Sequence, residues 1–223
     1  GKVAYIDPAG QPDSPEWDRV TLRHLKEAPP LRIARNVVLT AEFCRNKRVF
    51  LRFDAVYPAA RFFWNGELLG EHFSGLTPWQ TEITERVHPD TGDRLEVELL
   101  RWHPFIQLDM PRHALEFTGL AQDAYCFATE ANRLVKDTTQ AAYDSAARQG
   151  RLHGLLRLDG PGSVAPEAAL WRHGSKVQDL AVRPGTAPKE FVLEDTIADP
   201  AAWSDECPEL YDLRIHCGAD VYR

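Results

Sequence analysis

Carboxylate side chains are the most plentiful groups in the sequence that could do acid–base chemistry. Such chemistry needs two carboxyl groups about 5 to 10 Å apart, one of them held protonated. The acids between Glu67 and Glu98 fall at predicted turns or on alternate strand positions, where solvated acids are expected. Their spacing singles out no pair. They include Glu67, Glu71, Glu82, Glu85, Asp93, Glu96 and Glu98.

Other catalytic and metal-binding signatures are missing from the sequence. It has no G-x-S-x-G elbow, no glycine-rich phosphate loop and no H-E-x-x-H metal helix. The eight histidines do not cluster at ligand spacing, and Cys44, Cys126, Cys207 and Cys217 form no C-x-x-C pair. We therefore expect no metal and no cofactor, and free buried thiols, although the sequence leaves disulfides open.

Composition and charge exclude several classes of partner. The 223 residues are 43% hydrophobic and 26% charged, which is typical of a globular protein with a core. No run approaches the eighteen or so apolar residues of a membrane span. A net charge of −7 argues against nucleic acid, whose binding depends on Lys and Arg. No signal peptide is visible at the N-terminus, and the compartment stays open between cytoplasm and periplasm.

Short apolar segments separated by turn residues predict an all-β fold with two β-sandwich domains and a boundary near residue 131. In the first half, Asn65-Gly66 between apolar runs predicts a hairpin, because both residues tolerate positive φ. The segment 137–148 reads as a short helix or a solvated loop. Predicted strands cover 32–43, 48–53, 60–69, 82–87, 94–100 and 124–128, then 152–158, 168–172, 177–182, 189–193 and 210–216.

The first half closely resembles the sugar-binding domain of family-two glycoside hydrolases, which include β-galactosidases, β-glucuronidases and β-mannosidases. Trp17, Val20 and His24 resemble the opening of that domain. The family pattern W-Y-R-K is replaced by PPLRIARN at 29–36. The main matching segments are NKRVFLRFDAV at 46–56, FFWNGELLGEH at 62–72, SGLTPWQTEIT at 74–84, GDRLEVELLRW at 92–102 and TGLAQDAYC at 118–126.

The second half resembles the immunoglobulin-like domain that follows in this family, which ends in a pattern close to L-W-S-P-E-x-P-x-L-Y-x-L. The matching segment here is AWSDECPELYDL at 202–213. The resemblance implies a jelly-roll, galactose-binding-like β-sandwich over 1–131 and an immunoglobulin-like β-sandwich over 132–223. We expect Trp203 and Tyr211 to fill the core of the second domain.

The resemblance implies the non-catalytic N-terminal region of a β-galactosidase-like retaining enzyme. The family's catalytic acids lie in a (β/α)₈ barrel, with the acid/base after an asparagine. This chain has no Asn-Glu dipeptide and ends at Arg223, where that barrel would begin, so we expect it to be inactive alone. Its implied partners are that barrel and, through the full-length enzyme, a terminal β-linked sugar. The sequence fixes neither the sugar nor the oligomeric state.

The resemblance also implies a substrate-binding segment after Leu100. In some β-galactosidases a loop after an L-R-W strand contributes an aspartate to the sugar site. Here the loop reads HPFIQLDMPRH, with Asp109 near the matching position once a gap is allowed. Asp109, His103 and Trp102 are therefore the candidate substrate contacts, and the alternative is a packed crossover loop.

Two other functions stay open at this point. One is a free-standing carbohydrate-binding module, which would need exposed aromatic rings, such as Trp64, Trp79 or Trp102, for stacking on sugars. The other is a structural or interaction module, whose marks would be an exposed apolar surface and a stable dimer. For each tryptophan alone, packing in a core is the commoner role.

Overall fold

A computed structural model describes residues 2–6, 29–100, 118–162 and 164–223 of the protein. These residues divide into two compact units, Lys2–Ala128 and Thr129–Arg223. Strands dominate both units, which confirms the predicted all-β fold class. Among the described residues, no helix is both long enough and apolar enough to cross a membrane.

The described part of the first unit contains two four-stranded sheets and a short two-stranded one. One large sheet has the strand order β1-β10-β3-β7, the other has the order β2-β8-β5-β6, and β4 pairs with β9. A short helix, α1 (Ala41–Cys44), precedes β3, and a 3₁₀ turn (Thr84–Arg86) follows β7. The strands are β1 (Lys2–Ile6), β2 (Leu31–Val37), β3 (Arg48–Phe53), β4 (Val56–Tyr57), β5 (Ala59–Trp64), β6 (Glu67–His72), β7 (Trp79–Glu82), β8 (Asp93–Leu100), β9 (Gly119–Leu120) and β10 (Ala124–Thr129).

The core of the first unit lies between its two large sheets. Successive side chains of a strand point to opposite faces, so every second residue turns inward. From β3 these are Val49, Leu51 and Phe53, and from β5 they include Phe62 and Trp64. Because these rings and branched chains come from both sheets, they hold the sheets together by burying apolar area.

The predicted Asn65-Gly66 hairpin is confirmed. Trp64 pairs with Glu67, so the loop has two residues, and their φ angles are 51° and 84°. Positive φ at both positions is the geometry of a type I′ turn, whose twist matches that of the flanking strands. The turn joins β5 to the edge strand β6.

The second unit contains two further sheets. One has the order β11-β13-β17-β16, with β12 also paired to β13, and the other has the order β15-β14-β18-β19. Leu156, Leu193 and Ile215 are among the buried side chains of its core, which draws on both sheets. The strands are β11 (Arg133–Asp137), β12 (Gln140–Asp144), β13 (Gln149–Asp159), β14 (Glu167–Arg172), β15 (Ser175–Leu180), β16 (Val182–Pro184), β17 (Glu190–Ala198), β18 (Asp212–Cys217) and β19 (Asp220–Tyr222).

Two predicted strands run too far. The strand predicted over 32–43 ends at Val37, because the hydroxyl of Thr40 accepts a hydrogen bond from Phe43 N (3.1 Å) and begins helix α1. The strand predicted over 82–87 lies earlier, at Trp79–Glu82; after it the Thr84 hydroxyl donates to the Glu82 carboxylate (2.7 Å) and the chain enters the 3₁₀ turn. At both places a threonine hydroxyl makes a local hydrogen bond, to the backbone at Thr40 and to a side chain at Thr84, and the strand does not continue.

The prediction of a helix or loop over 137–148 is also wrong. Residues 140–144 form strand β12, which pairs with β13. All five of its residues are exposed. A strand exposed on both faces has no alternation of apolar and polar residues, so the sequence carries no period-two signal there.

Candidate functional site

The predicted substrate contacts Trp102, His103 and Asp109 lie outside the described residues, in the segment 101–117. Strand β8 leads directly into that segment. It lies between β2 and β5, and its inward side chains Leu95, Val97 and Leu99 are buried. The strand that precedes the segment is therefore paired along both edges and packed against the core.

Glu98, near the end of β8, is enclosed by two arginines. It stands opposite Arg32 on β2 and Arg61 on β5. Its Oε2 accepts from Arg32 Nε (2.8 Å), its Oε1 accepts from Arg61 Nη1 (3.2 Å), and the residue is only 5% exposed. Arg61 Nε also donates to Glu71 on β6 (2.6 Å), which completes a row of alternating charge across the sheet. Opposite charges directly across neighbouring strands stabilise the pairing.

Asp93, at the start of β8, is a second buried carboxylate. Its Oδ1 accepts from Asn65 Nδ2 (2.7 Å) and bonds His88 Nδ1 (2.7 Å), and its Oδ2 accepts from the His88 backbone N (2.9 Å). Burial alone would raise the pKa of Asp93, but hydrogen bonds from Asn65 and His88 outweigh it and hold the pKa below its ordinary value. The group thus ties the Asn65-Gly66 turn to the start of β8.

Asp93 and Glu98 were both expected to be solvated, and that expectation is wrong for these two. Each is buried because partners on neighbouring strands or turns satisfy its oxygens. Sequence spacing does not show cross-strand partners, although the run of turn residues before Asp93 marks a place where side chains bond backbone. Both carboxylates have structural partners on each oxygen, which leaves neither oriented as a free proton donor.

Trp64 and Trp79, the two tryptophans of the first unit that the structure describes, pack in its core. Trp64 is 1% exposed, and its Nε1 donates to the backbone oxygen of Arg86 (3.0 Å). Trp79 stacks on Phe62 with the ring centroids 3.9 Å apart and an angle of 12° between planes. Trp64 is therefore unavailable for stacking on a sugar, which removes one of the rings that a binding module would use.

The tryptophans of the second unit lie nearer the surface. The Arg214 guanidinium covers the Trp171 ring at 3.9 Å from its centroid. Trp203 is 63% exposed, so the prediction that it fills the core is wrong. Tyr211 does pack against that core, and its hydroxyl oxygen accepts from Ala201 N (2.9 Å). The hydrogen bond between Ala201 and Tyr211 holds the loop that contains Trp203, and the Trp203 side chain on this loop is exposed to solvent.

All four cysteines are free thiols. Burial raises the pKa of the Cys126 thiol to about 12 and that of the Cys217 thiol to about 11, which makes both poor nucleophiles. Cys207 is exposed. Within the described residues, no group of three or more His, Cys, Asp or Glu side chains is placed to hold a metal ion.

The described residues form two β-sandwich units, and in the first of them the buried carboxylates Asp93 and Glu98 are held by hydrogen bonds within the fold. No family model matches the chain. The chain is 24% identical to a β-galactosidase of Enterobacter cloacae over 73% of its own length and 17% of that protein. It is also 24% identical to a β-galactosidase of Aeromonas hydrophila, over 82% of its length and 18% of that protein.

Solved structures show the same fold. A Bifidobacterium dentium β-glucuronidase, complexed with coumarin-3-O-glucuronide, matches with a TM-score of 0.73 at 18% identity, over 87% of this chain and 38% of that one. These findings confirm the predicted resemblance to family-two glycoside hydrolases. The chain spans less than a fifth of the length of the two β-galactosidases, so the similarity concerns one part of much larger glycosidases.

Proposed function

We propose that this chain acts as the non-catalytic front region of a β-galactosidase-like retaining glycoside hydrolase. In that role it supports a catalytic barrel and shapes one wall of the substrate pocket. The observation that carries the proposal is similarity over most of this chain to a small part of large β-galactosidases. A retaining enzyme needs two carboxyl groups about 5 to 5.5 Å apart, and the proposal assigns both to the barrel.

The state of the buried carboxylates supports a non-catalytic role for the described residues. A general acid must present a protonated oxygen to the substrate. Glu98 accepts on both oxygens from Arg32 and Arg61, and Asp93 accepts on both from Asn65 and His88. Burial would raise the pKa of Asp93, but hydrogen bonds from Asn65 and His88 hold it below its ordinary value, which is the opposite of what an acid catalyst requires.

The proposed contribution to the pocket is the segment that follows β8. There the Asp109 carboxylate would accept hydrogen bonds from sugar hydroxyls, the Trp102 ring would stack on the apolar face of the sugar, and His103 would bond a hydroxyl. A terminal β-galactoside is the proposed substrate, because the relatives found by sequence are β-galactosidases, whereas the β-glucuronidase likeness is one of fold.

In the first test, the gene is sequenced past the codon for Arg223. Its complete product is then compared with the 223-residue chain. Both proteins are assayed with p-nitrophenyl β-galactoside and p-nitrophenyl β-glucuronide. We expect the complete product to hydrolyse the galactoside and the 223-residue chain to hydrolyse neither. A stop codon within a few residues, or hydrolysis by the 223-residue chain, would contradict the proposal.

The second test replaces Asp109 by Asn in the complete product. Losing a hydrogen bond to a charged group costs about 1.5 to 3 kcal/mol, so kcat/KM should fall roughly 10- to 150-fold. The control is Glu85→Gln, which changes an exposed acid in the 3₁₀ turn and should leave kcat/KM unchanged. Equal kinetics for the Asp109 variant and the control would remove Asp109 from the pocket while leaving the rest of the proposal intact.

A further inference from the structure

Strand β12 forms an exposed edge of the second unit. It continues the path of β11 along the same side of β13, and within the described residues its one paired neighbour is β13. Every residue from Gln140 to Asp144 is exposed, and Tyr143 is 47% exposed. The opposite edge of the strand therefore faces solvent.

The register shows which backbone groups that free edge presents. Thr138 N donates to Leu155 O (3.2 Å), so residue 138 directs its backbone groups toward β13. In an antiparallel pair this direction alternates along the strand, which turns Gln140, Ala142 and Asp144 toward β13 as well. Ala141 and Tyr143 point the other way, and they present two N–H and two C=O groups on the open edge.

This edge lacks the features that normally prevent pairing with another chain. Proteins protect exposed edges with lysine, proline, bulges or a covering segment. The neighbouring β11 has Lys136 and a register shift between Leu134 and Lys136. Strand β12 reads Gln-Ala-Ala-Tyr-Asp, with no Lys, Arg or Pro and no register shift against β13.

We propose that β12 is a docking edge for a second copy of this chain, paired antiparallel about a two-fold axis through Ala142. In that register Ala141 stands opposite Tyr143 of the second copy, and the two residues exchange both N–H···O=C bonds. The symmetry repeats the exchange on the other side of the axis. All the outward backbone groups of Ala141 and Tyr143 are then satisfied in both copies.

The side chains are self-complementary in the same register. Gln140 faces Asp144 of the second copy, so an amide donor meets a carboxylate rather than a like charge. Asp144 uses Oδ1 to accept from Ala146 N (3.1 Å) and Ala147 N (3.0 Å), which leaves Oδ2 for the amide. On the other face the Tyr143 ring covers Ala141, a favourable aromatic-on-small pairing.

The contact is short. Stable interfaces bury about 1,200 to 2,000 Å², and pairing of two five-residue strands buries less than that. We therefore expect a weak dimer whose population rises with protein concentration, independently of whether the chain serves a hydrolase.

Disulfide trapping tests the register. Ala142→Cys places two thiols opposite each other at a non-hydrogen-bonded pair, where Cα atoms lie about 4.5 Å apart, close enough for a disulfide. The variant is made with Cys207→Ser, which removes the exposed native thiol. The matched control is Val177→Cys in the same background, since Val177 is exposed on β15 at the edge of the other sheet. We expect mild oxidation to give covalent dimer at least tenfold faster for Ala142→Cys, and equal rates would overturn the proposal.

Sedimentation velocity of the unmodified chain over a range of concentrations gives an independent test. The weight-average mass should rise with concentration. Ala142→Lys sets two like charges opposite each other and should weaken dimerisation at least tenfold, while Val177→Lys leaves it unchanged. Circular dichroism checks that both variants keep the native strand content. A chain that stays monomeric at every concentration, or a dimer indifferent to Ala142→Lys, would contradict the proposal.

Discussion

The two units are both built from β-strands, but they differ in which apolar side chains are buried in the core and which are exposed. In the first unit Phe53, Phe62 and Trp64 are almost fully buried. In the second unit the largest fully buried side chains are Leu156, Leu193 and Cys217. A buried aromatic ring removes more apolar area from water than a leucine or cysteine does, so the first core gains more from burial.

The surfaces differ in the opposite sense. Among the described residues, the large apolar side chains left exposed in the first unit are Val38, Leu68 and Leu76. More such side chains are exposed in the described part of the second unit. Exposed apolar groups are where contacts with other proteins are expected, so among the described residues the second unit offers more positions for such contacts. Those of the second unit are Val135, Tyr143, Leu155, Val164, Val177, Trp203, Leu210 and Val221.

The largest expected difference is between two tryptophans, one from each unit. Trp64→Ala should destabilise the first unit by about 3 to 5 kcal/mol, because it empties a buried site and leaves the Arg86 carbonyl without its donor. Trp203→Ala should change stability by less than about 0.5 kcal/mol, because the side chain is exposed. Labelling of the buried thiols in urea measures the units separately, with Cys126 reporting on the first and Cys217 on the second.

The same labelling supplies the control. Trp64→Ala should expose Cys126 at a lower urea concentration while the protection of Cys217 is retained. A large loss of stability from Trp203→Ala would mean that Trp203 packs against protein in solution, and the contrast between the units would fail.

A smaller effect is expected at the buried carboxylate of the first unit. Asp93→Asn should cost about 1 to 3 kcal/mol at pH 7, because the Asn side chain lacks the charge and the second acceptor oxygen that bind Asn65 and His88. The matched change in the second unit is Asp179→Asn. Asp179 pairs with Lys176 at the surface (2.9 Å) and should contribute less than about 1 kcal/mol.

The pH dependence of the Asp93 contribution has a definite sign. The folded pKa is lowered, so the stabilisation is fully present above the unfolded pKa of about 4 and is lost as the pH falls through the folded pKa. The difference in unfolding free energy between the unmodified chain and Asp93→Asn should therefore shrink between pH 5 and pH 2. A difference that stays constant over this range would show that shape, rather than charge, sets the contribution.

The sequence predicts the parts of this fold that depend on local backbone chemistry. Asn65-Gly66 indicates a hairpin because few other pairs accept positive φ twice in succession. The strand at 94–100 is found because its inward residues alternate with polar ones. Strand β12 is missed because it is exposed on both faces, and α1 because a single Thr40 cap outweighs the strand propensity around it.

The candidate site is harder to predict from the sequence than the fold is, for a physical reason. The roles of Asp93 and Glu98 depend on partners that only strand pairing brings close, since Arg32 and Glu98 are 66 positions apart. Exposure of Trp203 likewise depends on how its loop is anchored by Tyr211. The roles of Trp102, His103 and Asp109 stay predictions from resemblance.

The smallest expected effects test whether the units also differ in their turns. Gly66 and Gly174 each follow a residue with positive φ in a two-residue hairpin loop, at φ of 84° and 79°. An added Cβ meets no heavy atom within 4 Å at either glycine, so replacement by Ala costs backbone strain alone, about 1 kcal/mol. Equal losses in urea unfolding at the two sites would place the difference between the units in their cores. A loss at Gly66 larger by more than about 1 kcal/mol would instead show that the Asn65 bonds to Asp93 and Arg94 make the first turn part of its unit's core.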